Sequence, residues 1–166
     1  MKKLFLALVV FSLLAGALAA CAPKKPVAPK GEVVLTVKGN IKATNVGEEY
    51  QFDLDMVKKE GKNLKTNDPW LEKELTYTGI PLSRLVEMVK PGDGATALKL
   101  VAVDGYSAEV KIADCKGTDI MLAYAADGQD LSSDMGGPLK LVFADSLAEV
   151  YSPEAWAWMV VEITVK

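Results

Sequence analysis

The chain has 166 residues, half of them hydrophobic, with 19 lysines and arginines against 22 aspartates and glutamates. That is the size of one domain with a real core. It contains no histidine, which excludes a Ser-His-Asp triad, histidine-ligated zinc and histidine-ligated haem. Five of the 19 basic residues (Lys2, Lys3, Lys24, Lys25 and Lys30) precede residue 32, leaving 14 against 22 in an acidic body whose one arginine is Arg84. Nucleic acid is not an expected partner, because phosphate contacts need clustered cations.

Lys2 and Lys3 precede an apolar run from Leu4 to Leu14, followed by small residues and "LAAC" ending at Cys21. A charged start, an apolar stretch too short to span stably and a small-residue processing site read as a signal peptide. Cysteine directly after Leu-Ala-Ala resembles a bacterial lipobox, with an uncleaved anchor or an ordinary secreted protein as the alternatives. The expected organisation is a signal peptide at 1–20, a lipidated Cys21 opening a Pro/Lys tether at 21–31, and a domain at 32–166. Several acyl chains of the palmitate kind would attach such a protein to the bacterial cell envelope, on the periplasmic side. Ala22, where an aspartate would retain the protein at the inner membrane, favours the outer membrane. Pro23, Pro26 and Pro29 keep the tether extended over about 30 Å. With Cys21 lipidated, Cys115 has no partner for a disulfide and reads as a small apolar residue rather than a nucleophile.

In the body, 33–39 and 49–55 alternate as short strands. "DLDMVKKEG" suits a brief helix ending at Gly61. The β-prone 74–79 leads into "IPLSRLVEMVKPG", where Leu82, Leu85, Val86 and Val89 at i, i+3, i+4 and i+7 predict a helix. Pro81 fits its first turn and Pro91-Gly92 its end. Runs at 97–103 and 106–112 flank Asp104-Gly105, a hairpin turn. Period-two geometry puts Tyr106 on the side of Ala108, Val110 and Ile112, toward the core or a cavity opening from it. "DIMLAYAADGQDL" carries a strand and a second Asp-Gly turn, and 136–143 and 158–166 close the domain as strands. The physical reading is α+β: a β-rich domain, antiparallel or mixed, with a few short helices.

Three segments in fixed order, "TYTGIPLSRLVEMV", "AVDGYSAEVKI" and "IMLAYAADGQDL" with "GGPLKLVF", resemble the molybdopterin-binding domain of the sulfite oxidase family. The closing "WAWMVVEITVK" is similar to that family's final Trp-containing strand, so the resemblance covers about Val33 to Lys166. It implies a β-rich mixed sheet or barrel-like core and a groove for a pterin. Enzymes of the family hold molybdenum through a pterin dithiolene and one cysteine, in a loop that corresponds here to "KNLKTNDPWLEKEL" and has no cysteine. The family's arginine and histidine partners for cofactor phosphate and substrate anion are missing too. Without a soft ligand or an anion clamp, the expectation leans away from an enzyme and no molybdenum is expected.

The resemblance places Trp70 in the loop that replaces the metal-ligand loop, where it is either a stacking platform for a pterin or a plug for the vacated pocket. Asn67 and Asp68 either bind the ring edge or only shape the turn. Tyr106 matches a tyrosine beside the family's substrate site. Asp104 is a pocket group or simply the first residue of its turn, and Gly136 and Gly137 admit a ligand or a tight turn. No catalytic residue and no metal ligand is assigned. The expected function is a lipoprotein that binds a pterin or similar flat heterocycle non-covalently, without catalysis, and signals to an envelope receptor protein. The alternatives are a molybdopterin-dependent oxidoreductase and a scaffold or protein-binding module with an empty groove.

Overall fold

Alternation writes most of the strands. In β1 (Val33–Gly39), Leu35 and Val37 face inward while their neighbours stay partly exposed. β2 (Tyr50–Asp53) turns Tyr50 and Phe52 into the same core, their rings stacked with centroids 4.7 Å apart. Asp53 then caps α1 (Leu54–Lys59), accepting the Met56 backbone N–H at 2.8 Å. This is a computed structural model that describes residues 26–166; the leader, Cys21 and the start of the tether lie outside the described residues.

β3 (Lys62–Asp68) and β4 (Lys73–Pro81) pair antiparallel from Lys62–Gly79 to Asp68–Lys73. The stretch expected to be a loop through Asn67 and Asp68 is therefore mostly strand. α2 (Leu82–Val89) follows with Leu82, Leu85 and Val89 buried against β4 and a later strand, and ends at Lys90 in the left-handed conformation. β5 (Ala97–Ala102) and β6 (Ser107–Lys111) form the hairpin across Asp104-Gly105. β7 (Ile120–Ala126) meets the two-residue β8 (Gln129–Asp130) across the second Asp-Gly turn. β9 is confined to Lys140–Phe143, and β10 spans Val160–Val165. The strand expected over 136–143 starts late because Gly136, at φ 88°, ends a 3-10 turn.

Two sheets result. One has the order β2-β1-β10-β5-β6, with β10 running parallel to β1 and antiparallel to β5. The other has the order β3-β4-β7-β8, with β9 also paired to β7. Both sheets feed one apolar core that contains Leu35, Val37, Tyr77, Leu100, Leu122 and Ile163. The α+β, β-rich expectation matches this architecture.

Candidate functional site

Asp68 ends β3 with its side chain turned inward, 1% exposed. Its Oδ1 accepts the backbone N–H groups of Trp70 (2.9 Å) and Leu71 (3.0 Å), folding the β3–β4 connection around Pro69. Its Oδ2 accepts from the Tyr77 hydroxyl and the Lys140 ammonium. Tyr77 and Lys140 are both fully buried, and Lys140 Nζ lies 3.3 Å from Tyr77 Oη. Burial pushes the Asp68 carboxyl up, but the bonds from Lys140 and Tyr77 outweigh it and hold the group below the usual carboxylate range. Burial lowers the Lys140 ammonium, opposed by Asp68. The Tyr77 phenol is raised by burial first and by Asp68 second. Asp68 is thus turned away from the surface, with both oxygens engaged inside the protein.

The loop so built carries Trp70 at 52% exposure, so its ring does not fill the core. Its Nε1 donates to the Pro153 carbonyl at 2.9 Å. On the opposite side, Tyr106, 48% exposed, donates its hydroxyl to the Glu154 carbonyl at 2.6 Å. Both aromatic residues grip the short 3-10 turn at Pro153–Ala155. Between them opens a cleft of about 370 Å³ lined by Trp70, Ala102, Asp104, Tyr106, Glu154, Trp156 and Trp158. The volume is that of a small-molecule site.

Trp156 is mostly buried, its ring at 6.5 Å from Tyr77 and 6.0 Å from Phe143. Trp158 lies over Lys140, whose Nζ is 4.6 Å from the indole centroid and 5.7 Å from that of Trp156. Gly136 makes room for it: a Cβ there would stand 2.8 Å from Trp158 Cγ. At Gly137 a Cβ would meet the Leu131 carbonyl oxygen at 2.1 Å. The two glycines admit the protein's own groups, the indole and a carbonyl, where a ligand was the other expectation.

Of the residues singled out from the sequence, Trp70, Asp104 and Tyr106 come together. Asp104 both lines the cleft and shapes its turn, its Oδ1 accepting the Tyr106 N–H at 2.9 Å. Asn67 lies elsewhere, on a separate pocket of about 230 Å³ with Asp145 and Tyr151. Its backbone N–H and Nδ2 both reach Asp145, each at 2.9 Å. The Asn67 backbone N–H, then the Thr66 hydroxyl, keep Asp145 below the usual carboxylate range. Strand pleat explains the split: consecutive residues Asn67 and Asp68 face opposite ways, and neither faces the cleft. Trp156 and Trp158 were visible as a cluster in "YSPEAWAW", whereas Glu154 and the buried Lys140 carried no local signal beyond the basic position in "GGPLKLVF".

Cys115 lies away from the cleft, its Sγ 3.6 Å from the Lys111 carbonyl oxygen. Burial, and then Asp114, push its thiol up to about 12, which leaves it protonated and inert near neutral pH. Arg84 is on α2, bonded to Glu60 and Glu87 at 2.9 Å each. Among the described residues no cluster of three or more Cys, Asp or Glu could hold a metal.

A small domain with two sheets, few helices and a cleft at the β5–β6 hairpin matches a class built around a cofactor. The chain belongs to the oxidoreductase molybdopterin binding domain family, whose sequence profile matches residues 44–152. Its fold is similar to a solved structure, the sulfane dehydrogenase SoxCD from Paracoccus pantotrophus, with a TM-score of 0.64 and 16% sequence identity. The likeness covers 79% of this chain and 37% of that one, and shows the fold. No curated protein sequence matches the chain.

The cleft lining can be tested against the family's cofactor. A phosphorylated pterin carrying molybdenum asks for cations at the phosphate and a thiolate at the metal. The ionisable groups on this lining are Asp104 and Glu154, both acidic, besides the weakly acidic Tyr106 hydroxyl. The cation beneath it, Lys140, is fully buried and paired with Asp68. The lining offers no cation for the phosphate and no thiolate for the metal, so it does not fit those parts of the cofactor.

Proposed function

We propose that this domain binds a pterin or another flat heterocycle non-covalently and carries out no chemistry on it. The observation that carries the reading is the cleft itself, where three indoles and a phenol converge with acceptor groups at the rim. Family membership supports a pterin-shaped groove, and the acidic lining supports binding without molybdenum. Saturable quenching of tryptophan fluorescence by a panel of pterins, with no molybdenum in the purified protein by elemental analysis, is the expected result. Stoichiometric molybdenum would favour the oxidoreductase reading instead. No quenching and no metal would leave a cofactor fold reused as a scaffold.

We further propose that the protein is lipidated at Cys21 and held on the periplasmic face of a bacterial envelope, the outer membrane where one exists. What supports this is the leader and the Leu-Ala-Ala-Cys sequence, followed by a tether that joins the domain at a fixed point. Lys30 and Gly31 donate backbone N–H groups to Asp53 Oδ2 at 2.7 and 3.0 Å. An envelope receptor that senses the bound state is the partner such a domain would serve. Mass spectrometry of the N-terminal peptide checks the acyl groups, and cross-linking in cells checks the receptor.

A further inference from the structure

We propose that the ligand of this cleft is a cationic heterocycle: a flat ring bearing a fixed positive charge, such as an N-alkylated nitrogen aromatic. This rests on the reading of the cleft as a heterocycle site and adds the charge of its occupant. Three features point the same way. The walls are Trp70, Trp156, Trp158 and Tyr106, whose ring faces are electron-rich and attract cations, tryptophan most strongly. The lining includes two acidic residues, Asp104 and Glu154, and no lysine or arginine. The two donors at the mouth, Trp70 Nε1 and Tyr106 Oη, are engaged with the carbonyls of Pro153 and Glu154 and are not offered to an anion.

One group opposes this. Lys140 Nζ lies 4.6 Å from the Trp158 centroid, and a bare ammonium there would repel a second cation on the same indole. Its contact with the Asp68 carboxylate offsets part of that charge. The cleft then has a paired ammonium below, its charge partly offset, against two carboxylate residues in its lining. Each carboxylate within about 6 Å of a ligand cation, half-screened by water, favours it about three- to tenfold.

The test is calorimetric titration of the full-length protein with three probes of one shape. These are N-methylquinolinium-3-carboxamide, quinoline-3-carboxamide and quinoline-3-carboxylate, with a neutral pterin as reference. The expected order is cation, neutral, anion, with the cation at least about tenfold tighter than the neutral ring. In the double variant Asp104→Asn with Glu154→Gln, the cation should weaken about tenfold and the neutral probe by much less. Equal affinity for cation and neutral ring overturns the proposal and leaves the heterocycle site standing. Equal weakening of both probes in the double variant also overturns it, because the carboxylates would then be shaping the cleft rather than sensing charge. If neither the three probes nor the pterin bind, the heterocycle site fails and this inference fails with it.

Discussion

Replacing Lys140 with methionine isolates the ion pair beneath the cleft. Methionine keeps an unbranched apolar side chain and removes the ammonium, which lies 5.5, 5.7 and 4.6 Å from the ring centroids of Tyr77, Trp156 and Trp158. Asp68 would keep the Tyr77 hydroxyl and the Trp70 and Leu71 N–H groups but lose its counter-charge at 1% exposure. Breaking a buried pair on one side costs about 3–5 kcal/mol, a large part of the ~5–15 kcal/mol that keeps a domain folded. Urea denaturation followed by circular dichroism at pH 7 should show that loss. The loss should then shrink with acid. In the wild type the folded Asp68 titrates below its unfolded value, so its contribution is present at neutral pH and lost as pH falls through the folded pKa. Without Lys140 one of the groups holding Asp68 down is gone while its burial remains, so its carboxyl should rise and the gap to wild type should narrow between neutral pH and 5. Adding Asp68→Asn should restore most of the loss, since an amide carries no charge to strand. A loss under about 1 kcal/mol at pH 7, or one that does not shrink in acid, would refute the view that this pair is tightly coupled.

Trp70→Ala should cost only about 1 kcal/mol in stability, the net value of one exposed hydrogen bond, yet weaken heterocycle binding about five- to tenfold by titration. Gly136→Ala should destabilise by about 1–3 kcal/mol and alter the near-UV circular dichroism of Trp158, because φ is 88° and the new methyl meets the indole. Asp53, Asp68 and Asp145 all titrate below their ordinary values in the fold, held down by backbone N–H bonds at Asp53 and Asp145 and by Lys140 and Tyr77 at Asp68. Their stabilisation is complete above the unfolded carboxylate range, so the melting temperature should be flat from pH 7 to about 5 and fall below about 4.

Local patterns carried the parts of the fold that local physics decides. α2 was legible because its apolar residues repeat at helical spacing, and the β5–β6 hairpin because Asp104-Gly105 admits the turn. β3 was not, because its fully inward positions are Thr66 and Asp68, polar residues that no alternation pattern marks as buried. They are tolerated inside only through distant partners: Thr66 bonds the Phe143 carbonyl and Asp145, and Asp68 bonds Lys140. The site divides in the same way. Trp70, Asp104 and Tyr106 stood out as residue types in turns, while Asn67 was assigned to the cleft by proximity in sequence and lies on another pocket. Glu154 and Lys140 reach the site through pairings with Tyr106 and Tyr77, 48 and 63 residues away, which no local reading supplies.

The placement of β10 sets the order in which this protein can assemble. In its sheet β10 lies between β1 and β5, with Thr36 paired to Glu162 and Leu100 to Ile163. The β1–β2 and β5–β6 hairpins can each form from nearby residues, but within the sheet it is β10 that links them, beside backbone bonds from residues 40–43 to residues 89–92. Loop closure over that distance must precede the reward of sheet pairing, which slows such a topology relative to one of local contacts. The cleft obeys the same timing, since Trp158 is seated only when the strand that follows it slots home.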